Sequence, residues 1–358
     1  MNLYVNENIK NTERIFPEQG RYDFFRYDMN ENPEGLPQKF VNNVLKEITP
    51  EFLAVYPEPD KFLKKYASFV GYNVNYENLV ATNGSDMAIR YILETFGEKN
   101  KEVVTVSPSF EMYWVNCQIL GLKHKPVLYN DDLTINIEKI IDAITSNTRV
   151  VVLLNPNNPI GNVYTNEELE RVIEKAQNVN AIVIIDEAYY YFYNHTFINY
   201  ALEKENVIVL RTFSKLMSIA ACRIGVIISN PTIIHYIKNG KLTFDVNSVA
   251  LLFAEKLLDH PEIIDKLIRT EKKGKKYTLD ILRKNNYWVR DCNGNFIFVK
   301  PKHDSQKLKE KLAKERKVLV HSYKNELLKD YIRVSTGSIK AMKIFLDAFL
   351  ELDNGDWK

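Results

Sequence analysis

The sequence has few cysteines and no paired cysteine motif. Cys117, Cys222 and Cys292 are far apart, and none belongs to a Cys-X-X-Cys pair or lies near a histidine cluster. This spacing predicts neither a disulfide framework nor a zinc site, and no bound metal is expected. Unpaired cysteines are typical of proteins in the reducing cytoplasm, which is the location we expect.

Long hydrophobic runs are also lacking. No stretch of the chain approaches the roughly 20 apolar residues that a membrane-spanning helix requires. The N-terminal stretch MNLYVNENIKNTER has no apolar core of the length found in signal peptides. We therefore expect neither a membrane span nor a secretion signal.

An excess of charge of one sign is absent as well. Lysine and arginine total 48 and aspartate and glutamate total 46, which gives a formal net charge of +2. Proteins that bind nucleic acids or membrane surfaces usually carry a strong positive bias. The balance predicts no nucleic-acid partner and no membrane partner, and favours a small-molecule ligand.

What is present is a regular series of short β-branched runs. The chain of 358 residues is 45% hydrophobic, which is enough for two domains that share a core. Seven runs are predicted to be strands: 79–83, 102–106, 124–129, 149–154, 181–186, 207–211 and 224–229. Stretches with helical periodicity separate most of them, as at 85–96 and 165–177. The alternation predicts an α/β sheet covered by helices on both faces.

The pattern predicts three parts of the chain. Residues 1–40 are rich in Asn, Glu, Pro and aromatic residues without a clear period, and we interpret them as an extended N-terminal arm. Residues 41–246 form the large domain. Residues 247–358, with two predicted helices, three predicted strands and a closing helix, form a smaller α+β domain. Because no Gly/Ser linker separates the two domains, we expect the active site between them.

Polar residues follow several of the predicted strands, where ligands bind in parallel sheets. Gly84-Ser85-Asp86 opens a helix after the first strand and would offer backbone N–H groups to an anion such as phosphate, although a plain turn with a helix cap has the same appearance. Two Asn-Pro steps at 155–159 leave asparagine side chains at the sheet edge, or form an ordinary turn.

Two further strand ends carry reactive groups. Asp186 ends an apolar run and would be buried, so it needs a partner such as a protonated heteroaromatic nitrogen. Lys215 follows the next strand, and Arg223 lies eight residues beyond it. A lysine amine in this position is suited to Schiff-base chemistry, the alternative being an ordinary surface lysine.

Five motifs in this order resemble the class I and II aminotransferases, which are pyridoxal-phosphate enzymes of fold type I. The motifs are Gly84-Ser85-Asp86, Asn155-Pro156-Asn157-Asn158-Pro159-Ile160-Gly161, Asp186-Glu187-Ala188-Tyr189, Ser214-Lys215 with Arg223, and Tyr331-Ile332-Arg333-Val334-Ser335-Thr336-Gly337. Within this family the chain is similar to the histidinol-phosphate aminotransferase branch, through Asn30-Glu31-Asn32-Pro33 and Tyr56-Pro57-Glu58-Pro59. The resemblance covers the chain from about residue 27 and implies a mostly parallel seven-stranded sheet flanked by helices.

The resemblance also implies roles toward pyridoxal 5'-phosphate. Lys215 would bond to the cofactor and carry the transferred proton, and Asp186 would pair with its ring nitrogen. Asn158 and Tyr189 would hydrogen-bond its O3' atom, and Phe110 would stack on its ring. The phosphate would be held by Ser85, Asp86, Thr212, Ser214, Arg223 and, from a second subunit of a homodimer, Tyr56.

For the substrate, the resemblance implies that Arg333 grips the α-carboxylate, unless it is a solvated arginine at a strand end. Asn32 and His321 are further predicted substrate-binding residues. His321 stands where the branch usually has a second arginine for the substrate phosphate, and we expect it to be only partly charged at pH 7. The Pro-Tyr pair that often helps that site is replaced by Phe16-Pro17-Glu18.

The predicted function is therefore an aminotransferase of small, phosphorylated amines, with glutamate and 2-oxoglutarate as amino donor and oxo-acid acceptor. One alternative keeps the fold and changes the reaction, namely decarboxylation of a phosphorylated amino acid. Another is a cofactor-binding regulator, but such proteins carry a DNA-binding segment, and this chain has no basic helix to serve as one.

Overall fold

A computed structural model describes residues 3–12 and 20–357, which contain twelve strands and fifteen helices. The strands are β1 (Phe25–Tyr27), β2 (Leu79–Asn83), β3 (Glu102–Ser107), β4 (Lys123–Leu128), β5 (Thr148–Leu154), β6 (Ile182–Asp186), β7 (Val207–Thr212), β8 (Ile224–Ser229), β9 (Trp288–Asp291), β10 (Phe296–Lys300), β11 (Val318–Ser322) and β12 (Ile332–Ser335).

The helices alternate with the strands along most of the chain. They are α1 (Glu7–Lys10), α2 (Gln38–Leu45), α3 (Pro50–Ala54), α4 (Asp60–Val70), α5 (Gly84–Phe96), α6 (Glu111–Leu120), α7 (Ile137–Ala143), α8 (Asn166–Gln177), α9 (Tyr190–Tyr193), α10 (Ile198–Glu203), α11 (Pro231–Gly240), α12 (Ser248–Leu258), α13 (Pro261–Lys284), α14 (Ser305–Arg316) and α15 (Ile339–Asn354). In the described part of the chain, none has the combined length and apolar character needed to cross a bilayer.

The seven strands predicted for the large domain form one sheet, in the order β2-β8-β7-β6-β5-β3-β4. All neighbours are parallel except β8, which runs antiparallel to both β2 and β7. Alternate residues of β5 enter opposite cores: Val151 and Leu153 pack on one face, and Val150 and Val152 on the other. The predicted mostly parallel sheet, buried on both faces, is confirmed.

Local capping explains why α8 begins where the sequence predicts. At the start of α8, the Thr165 hydroxyl accepts a hydrogen bond from the Glu168 amide at 3.2 Å. The Glu168 carboxylate in turn accepts one from the Thr165 amide at 2.8 Å. This reciprocal pair satisfies two backbone donors that a helix start leaves free.

A second sheet of five strands has the order β1-β11-β12-β10-β9 and packs against α13, α14 and α15. The sequence predicted three of its strands and missed β1 and β9. β1 belongs to the predicted arm, where its buried Tyr27 donates a hydrogen bond to the Ala341 carbonyl at 2.6 Å. Except for β1, the two sheets lie on either side of residue 246; the division into 1–40, 41–246 and 247–358 stays a prediction.

Helix α13 lies directly against the backbone that follows β12. A Cβ atom at Gly274, in the middle of α13, would lie 1.9 Å from the Gly337 carbonyl oxygen and 2.8 Å from the carbonyl carbon of Ser338. The absence of a side chain at Gly274 therefore permits this close approach, although glycine costs a helix about 1 kcal/mol relative to alanine.

We expect Gly274→Ala to destabilise the protein by about 1 to 3 kcal/mol, because the cost of overpacking exceeds the gain in helix propensity. Gly240→Ala is the control, since a Cβ at that helical position would meet only Thr95 Oγ1, at 3.7 Å. Urea denaturation of both variants measures the free energy of unfolding. Equal stability of Gly274→Ala and the wild type would contradict the proposed close approach.

Candidate active site

The antiparallel strand β8 determines which residues meet at one edge of the large sheet. β5, β6 and β7 end at this edge, which places Asp186 and Thr212 there. Because β8 runs in the opposite direction, its first residues lie beside the last residues of β2 and β7, with Ile224 opposite Asn83. The structure thus brings Asp186, Thr212, Arg223 and the start of α5 to the same edge, as the sequence predicted.

Asp186 is a buried carboxylate at the end of the central strand, with 2% of its surface exposed. Its Oδ2 accepts a hydrogen bond from the Tyr113 hydroxyl at 2.9 Å, and its Oδ1 accepts one from the Ala188 amide at 3.0 Å. Burial raises the pKa of Asp186 to about 6, although these two hydrogen bonds oppose the rise. The site therefore favours a bound cation beside Asp186.

Sequence reasoning missed Tyr113. This tyrosine lies in the first turn of α6, three residues after Phe110, which directly precedes that helix and is partly buried against one core. Residues three apart lie on the same face of a helix, so the spacing of Phe110 and Tyr113 could have indicated that Tyr113 faces the same site as Phe110. The stacking role of Phe110 remains a prediction.

A cluster suited to an anion lies at the start of α5. Arg223 donates hydrogen bonds to Asp86 Oδ2 at 3.1 Å and to Ser214 Oγ at 3.2 Å, and the Ser214 amide donates to Thr212 Oγ1 at 3.1 Å. A Cβ at Gly84, where φ is +74°, would lie 2.5 Å from Arg223 Nη2. Glycine therefore lets the guanidinium lie against the helix N-terminus, next to Ser85, and both attract a phosphate.

Lys215 lies where the arm crosses the end of the large sheet. Its Nζ donates a hydrogen bond to the Met29 carbonyl at 3.1 Å and lies 5.7 Å from the centre of the Tyr189 ring. Lys215 also lines a cleft of about 340 Å³, whose wall includes Asn32 and Glu271. Lys215, the predicted nucleophile, therefore lies beside Tyr189, the predicted partner of the cofactor O3' atom, and at the edge of a cleft.

Arg333 connects the small sheet to the large one. Its Nη1 donates a hydrogen bond to Asn158 Oδ1 at 2.6 Å and its Nη2 donates to the Asp28 carbonyl at 2.7 Å. Its Nε is buried and has no partner among the described residues. Arg333 is thus a buried residue of the inter-sheet site, and the alternative of a solvated strand-end arginine is wrong.

The expectation that His321 is partly charged is corrected by its surroundings. His321 pairs with Arg333 across β11 and β12, and its ring packs edge-on against Tyr323 at 4.6 Å between centres. Burial, together with the charges of Arg333 and Lys309, lowers the pKa of His321 to about 3. The imidazole is therefore neutral at pH 7 and offers a hydrogen-bond donor without a positive charge.

Two other predicted residues lie away from these contacts. Asn32 donates a hydrogen bond to Ser218 Oγ at 2.8 Å on the wall of the cleft that Lys215 lines. Tyr56 is 72% exposed and stacks on the Phe244 ring at 4.5 Å. The replaced Pro-Tyr position, Phe16-Pro17-Glu18, lies outside the described residues.

The raised pKa of Asp186 predicts a pH dependence of stability in the cofactor-free protein. Between its ordinary value of 3.8 and about 6, the folded state binds more protons at this carboxyl than the unfolded state does. Stability should therefore fall by about 2 to 3 kcal/mol from this group as the pH rises from about 4 to 7. Asp186→Asn should remove this component from the free energy of unfolding measured in urea.

The exposed Asp265 provides the control, because Asp265→Asn should keep the wild-type slope. Identical pH slopes for Asp186→Asn and the wild type would contradict the assignment of a raised pKa to Asp186.

Comparisons with known proteins agree with this geometry. The family model for aminotransferase class I and II matches residues 26–349. Histidinol-phosphate aminotransferase of Clostridium novyi (strain NT) is 32% identical over 349 residues, which are 96% of this chain and 96% of that protein. Histidinol-phosphate aminotransferase of Methanocaldococcus jannaschii is 32% identical over 340 residues, 92% of this chain and 89% of that protein.

Solved structures share the fold at lower identity. Histidinol-phosphate aminotransferase from Sinorhizobium meliloti, in complex with pyridoxal-5'-phosphate, has a TM-score of 0.83 and 21% identity, and covers 92% of this chain and 90% of that one. Aspartate aminotransferase from Thermotoga maritima has a TM-score of 0.82 and 21% identity, and covers 98% of this chain and 100% of that one. The chain belongs to the class I and II aminotransferases, pyridoxal-phosphate enzymes of fold type I.

Proposed function

We propose that the protein transfers the amino group of histidinol phosphate to 2-oxoglutarate, and that it also catalyses the reverse reaction. The relatives with this name, about one third identical over most of the chain, support the substrate. The observation that carries the proposal is the hydrogen bond between Arg333 and Asn158, because it brings an anion-binding guanidinium, suited to the carboxylate of glutamate or the phosphate of histidinol phosphate, to the edge where Asp186 and Lys215 lie.

The residues at this edge fit pyridoxal phosphate. Asp186, buried and in need of a cation, would hold the protonated ring nitrogen, while Arg223, Ser214 and the backbone at Ser85 would hold the phosphate. Thr212 and the Asp86 backbone would complete the phosphate site, and Phe110 would cover the ring. When bound, the cofactor supplies an electron sink that stabilises negative charge at the substrate Cα.

The side chains of the protein then have distinct tasks. Arg333 would hold the α-carboxylate of glutamate; histidinol phosphate has no carboxylate, so its phosphate is the anion that the same guanidinium could bind. Lys215 Nζ would accept the proton from the substrate Cα as a general base and would later give up a proton as a general acid. Asn158 and Tyr189 hold the O3' atom, and Asp186 keeps the proton on the ring nitrogen.

His321 and Asn32 are the residues we assign to the rest of the substrate. Because His321 is neutral, it would contact the substrate phosphate as an N–H donor and would not supply the charge of a second arginine. Asn32 lies on the wall of the cleft beside Lys215, where a bound substrate would extend.

We further propose that the chain works in the cytoplasm as a homodimer in which Tyr56 serves the neighbouring site. The three unpaired cysteines support the location. Tyr56 and Phe244 line a cleft of about 490 Å³ that also includes Asn83, the residue before Gly84. The Oδ1 atom of Asn83 is buried without a partner among the described residues. This exposed apolar cleft beside the phosphate cluster is suited to a second subunit.

The first test is transamination by the purified protein reconstituted with pyridoxal phosphate. We expect histidinol phosphate and 2-oxoglutarate to yield glutamate, and Lys215→Ala to lower kcat by at least about 10²- to 10⁴-fold. Lys273→Ala is the control, because Lys273 is an exposed lysine of α13 that does not line the cleft. Release of carbon dioxide from a phosphorylated amino acid, without consumption of oxo acid, would instead establish decarboxylation.

The dimer is tested by mixing two inactive variants, Lys215→Ala and Tyr56→Ala, after unfolding and refolding them together. If Tyr56 acts across the interface, a mixed dimer has one site with both defects and one intact site. About one quarter of wild-type activity should then return, as random pairing of the two chains predicts. No recovery, or a monomeric mass in light scattering with full cofactor occupancy, would contradict the shared site.

A further inference from the structure

Asn30 is a buried asparagine of the arm whose side chain contacts Tyr189. It is 1% exposed and has a left-handed φ of +56°, a conformation that Asn tolerates better than most residues. Its Nδ2 donates a hydrogen bond to the Tyr189 hydroxyl at 2.9 Å. The contact joins residues 159 positions apart in the sequence, at the centre of the proposed cofactor site.

The orientation of the Asn30 amide follows from Ser335, which is fully buried in β12. The Asn30 backbone amide donates to Ser335 Oγ at 2.8 Å, so the Ser335 proton is free to be donated. It goes to Asn30 Oδ1, at 3.3 Å. If the amide were reversed, this buried proton would lose its acceptor among the described residues, at a cost of about 1 to 3 kcal/mol.

The direction of the Tyr189 proton follows in turn. A phenol has one proton to donate, and an NH₂ group is a donor only. Tyr189 must therefore accept from Asn30, and its own proton has no acceptor among the described residues. That proton is available to a bound group, and Lys215, the proposed partner of the cofactor, has its Nζ 5.7 Å from the centre of the Tyr189 ring.

We propose that Asn30 is a positioning residue that directs the Tyr189 proton toward the cofactor O3' atom. The inference rests on the proposed function, since it requires pyridoxal phosphate in this site. Two further contacts hold Asn30 in place. Its backbone carbonyl accepts a hydrogen bond from Asn295 Nδ2 at 3.0 Å, and Arg333 fixes the preceding backbone by donating to the Asp28 carbonyl.

Two substitutions separate this role from simple packing. Asn30→Ala removes the donor, with added backbone strain from the left-handed φ. Asn30→Asp keeps the shape and tolerates that φ, but replaces the NH₂ donor with an acceptor. Tyr189 would then donate its proton to the introduced carboxylate, away from the cofactor. Since the carboxylate also adds a negative charge, the Tyr189→Phe background separates the roles: a directing role predicts that the harm of Asn30→Asp depends on the Tyr189 hydroxyl, whereas harm from charge or packing would persist without it.

The readouts are the dissociation constant of pyridoxal phosphate and the pH midpoint of its visible absorbance change when bound. Asn30→Ala should weaken binding about 3- to 10-fold, as expected for one hydrogen bond. Asn30→Asp should weaken it more than Asn30→Ala does, and should move the pH midpoint upward by more than about 0.5 unit, because O3' loses its donor. In a Tyr189→Phe background the penalty of Asn30→Asp should shrink at least about threefold.

The controls distinguish a failure of the proposed role of Asn30 from a failure of the proposed function. Asn206→Ala removes another buried asparagine, whose amide donates to the Ile173 and Ala181 carbonyls, and should leave both readouts unchanged. In the cofactor-free protein, the losses of unfolding midpoint caused by Asn30→Ala and Tyr189→Phe should be less than additive, because both remove the same hydrogen bond.

Three results would each overturn the directing role and leave the proposed function intact. They are additive losses of the unfolding midpoint, an Asn30→Asp variant that binds pyridoxal phosphate as well as Asn30→Ala does, and a loss of binding from Asn30→Asp that is equally large in the Tyr189→Phe background. A wild-type chain that binds no pyridoxal phosphate would overturn both. Binding with the predicted order of variants, but without transamination, would support the role of Asn30 and refute only the reaction.

Discussion

The burial of the Asp186 carboxylate is the constraint on which the site depends. The charged form loses solvation at the end of β6, and two hydrogen bonds, from Tyr113 and the Ala188 amide, compensate only in part. The position is a consequence of topology, because β6 is the central strand of a sheet that helices cover on both faces. A protonated ring nitrogen would restore the missing interaction, so the fold itself creates the demand for a cationic heterocycle.

The reversal of β8 supplies the opposite charge. If β8 were parallel to its neighbours, Arg223 would lie at the far edge of the sheet, away from the start of α5. Two glycines allow β8 and Arg223 to lie close to the start of α5. A Cβ at Gly84 would meet Arg223, and a Cβ at Gly225 would lie 2.6 Å from the Gly84 carbonyl carbon. The edge therefore presents a carboxylate and a guanidinium cluster, which match the two ends of a pyridoxal phosphate molecule.

The sequence predicted those features that arise from local patterns. All seven strands of the large sheet could be read from short β-branched runs, and Asp186, Lys215 and Arg223 from their places at strand ends. Strands β1 and β9 have three and four residues and no clear alternation, which is too little signal for detection. The contact of Asn30 with Tyr189 joins distant parts of the chain, which no local pattern encodes, and the spacing of Phe110 and Tyr113 indicates a shared helix face but not the contact of Tyr113 with Asp186. The neutral state of His321 likewise depends on its burial and on Arg333 in the adjacent strand.

The segment from Asp28 to Asn30 links the substrate end of the site to the cofactor end. Arg333 uses one N–H of one Nη for the Asp28 carbonyl and one N–H of the other Nη for Asn158, which leaves the second N–H of each Nη and the unpaired Nε for a carboxylate. Arg333 engages only the Oδ1 atom of Asn158 and not the NH₂ group assigned to the cofactor, whereas a shift of the Asp28 carbonyl would disturb the backbone that holds Asn30. Since Asn30 in turn contacts Tyr189, a shift at Asp28 would reach a group that we assign to O3'. Under the proposed roles, binding of a carboxylate at Arg333 would thus be coupled to the orientation of the cofactor through hydrogen bonds already present in the fold.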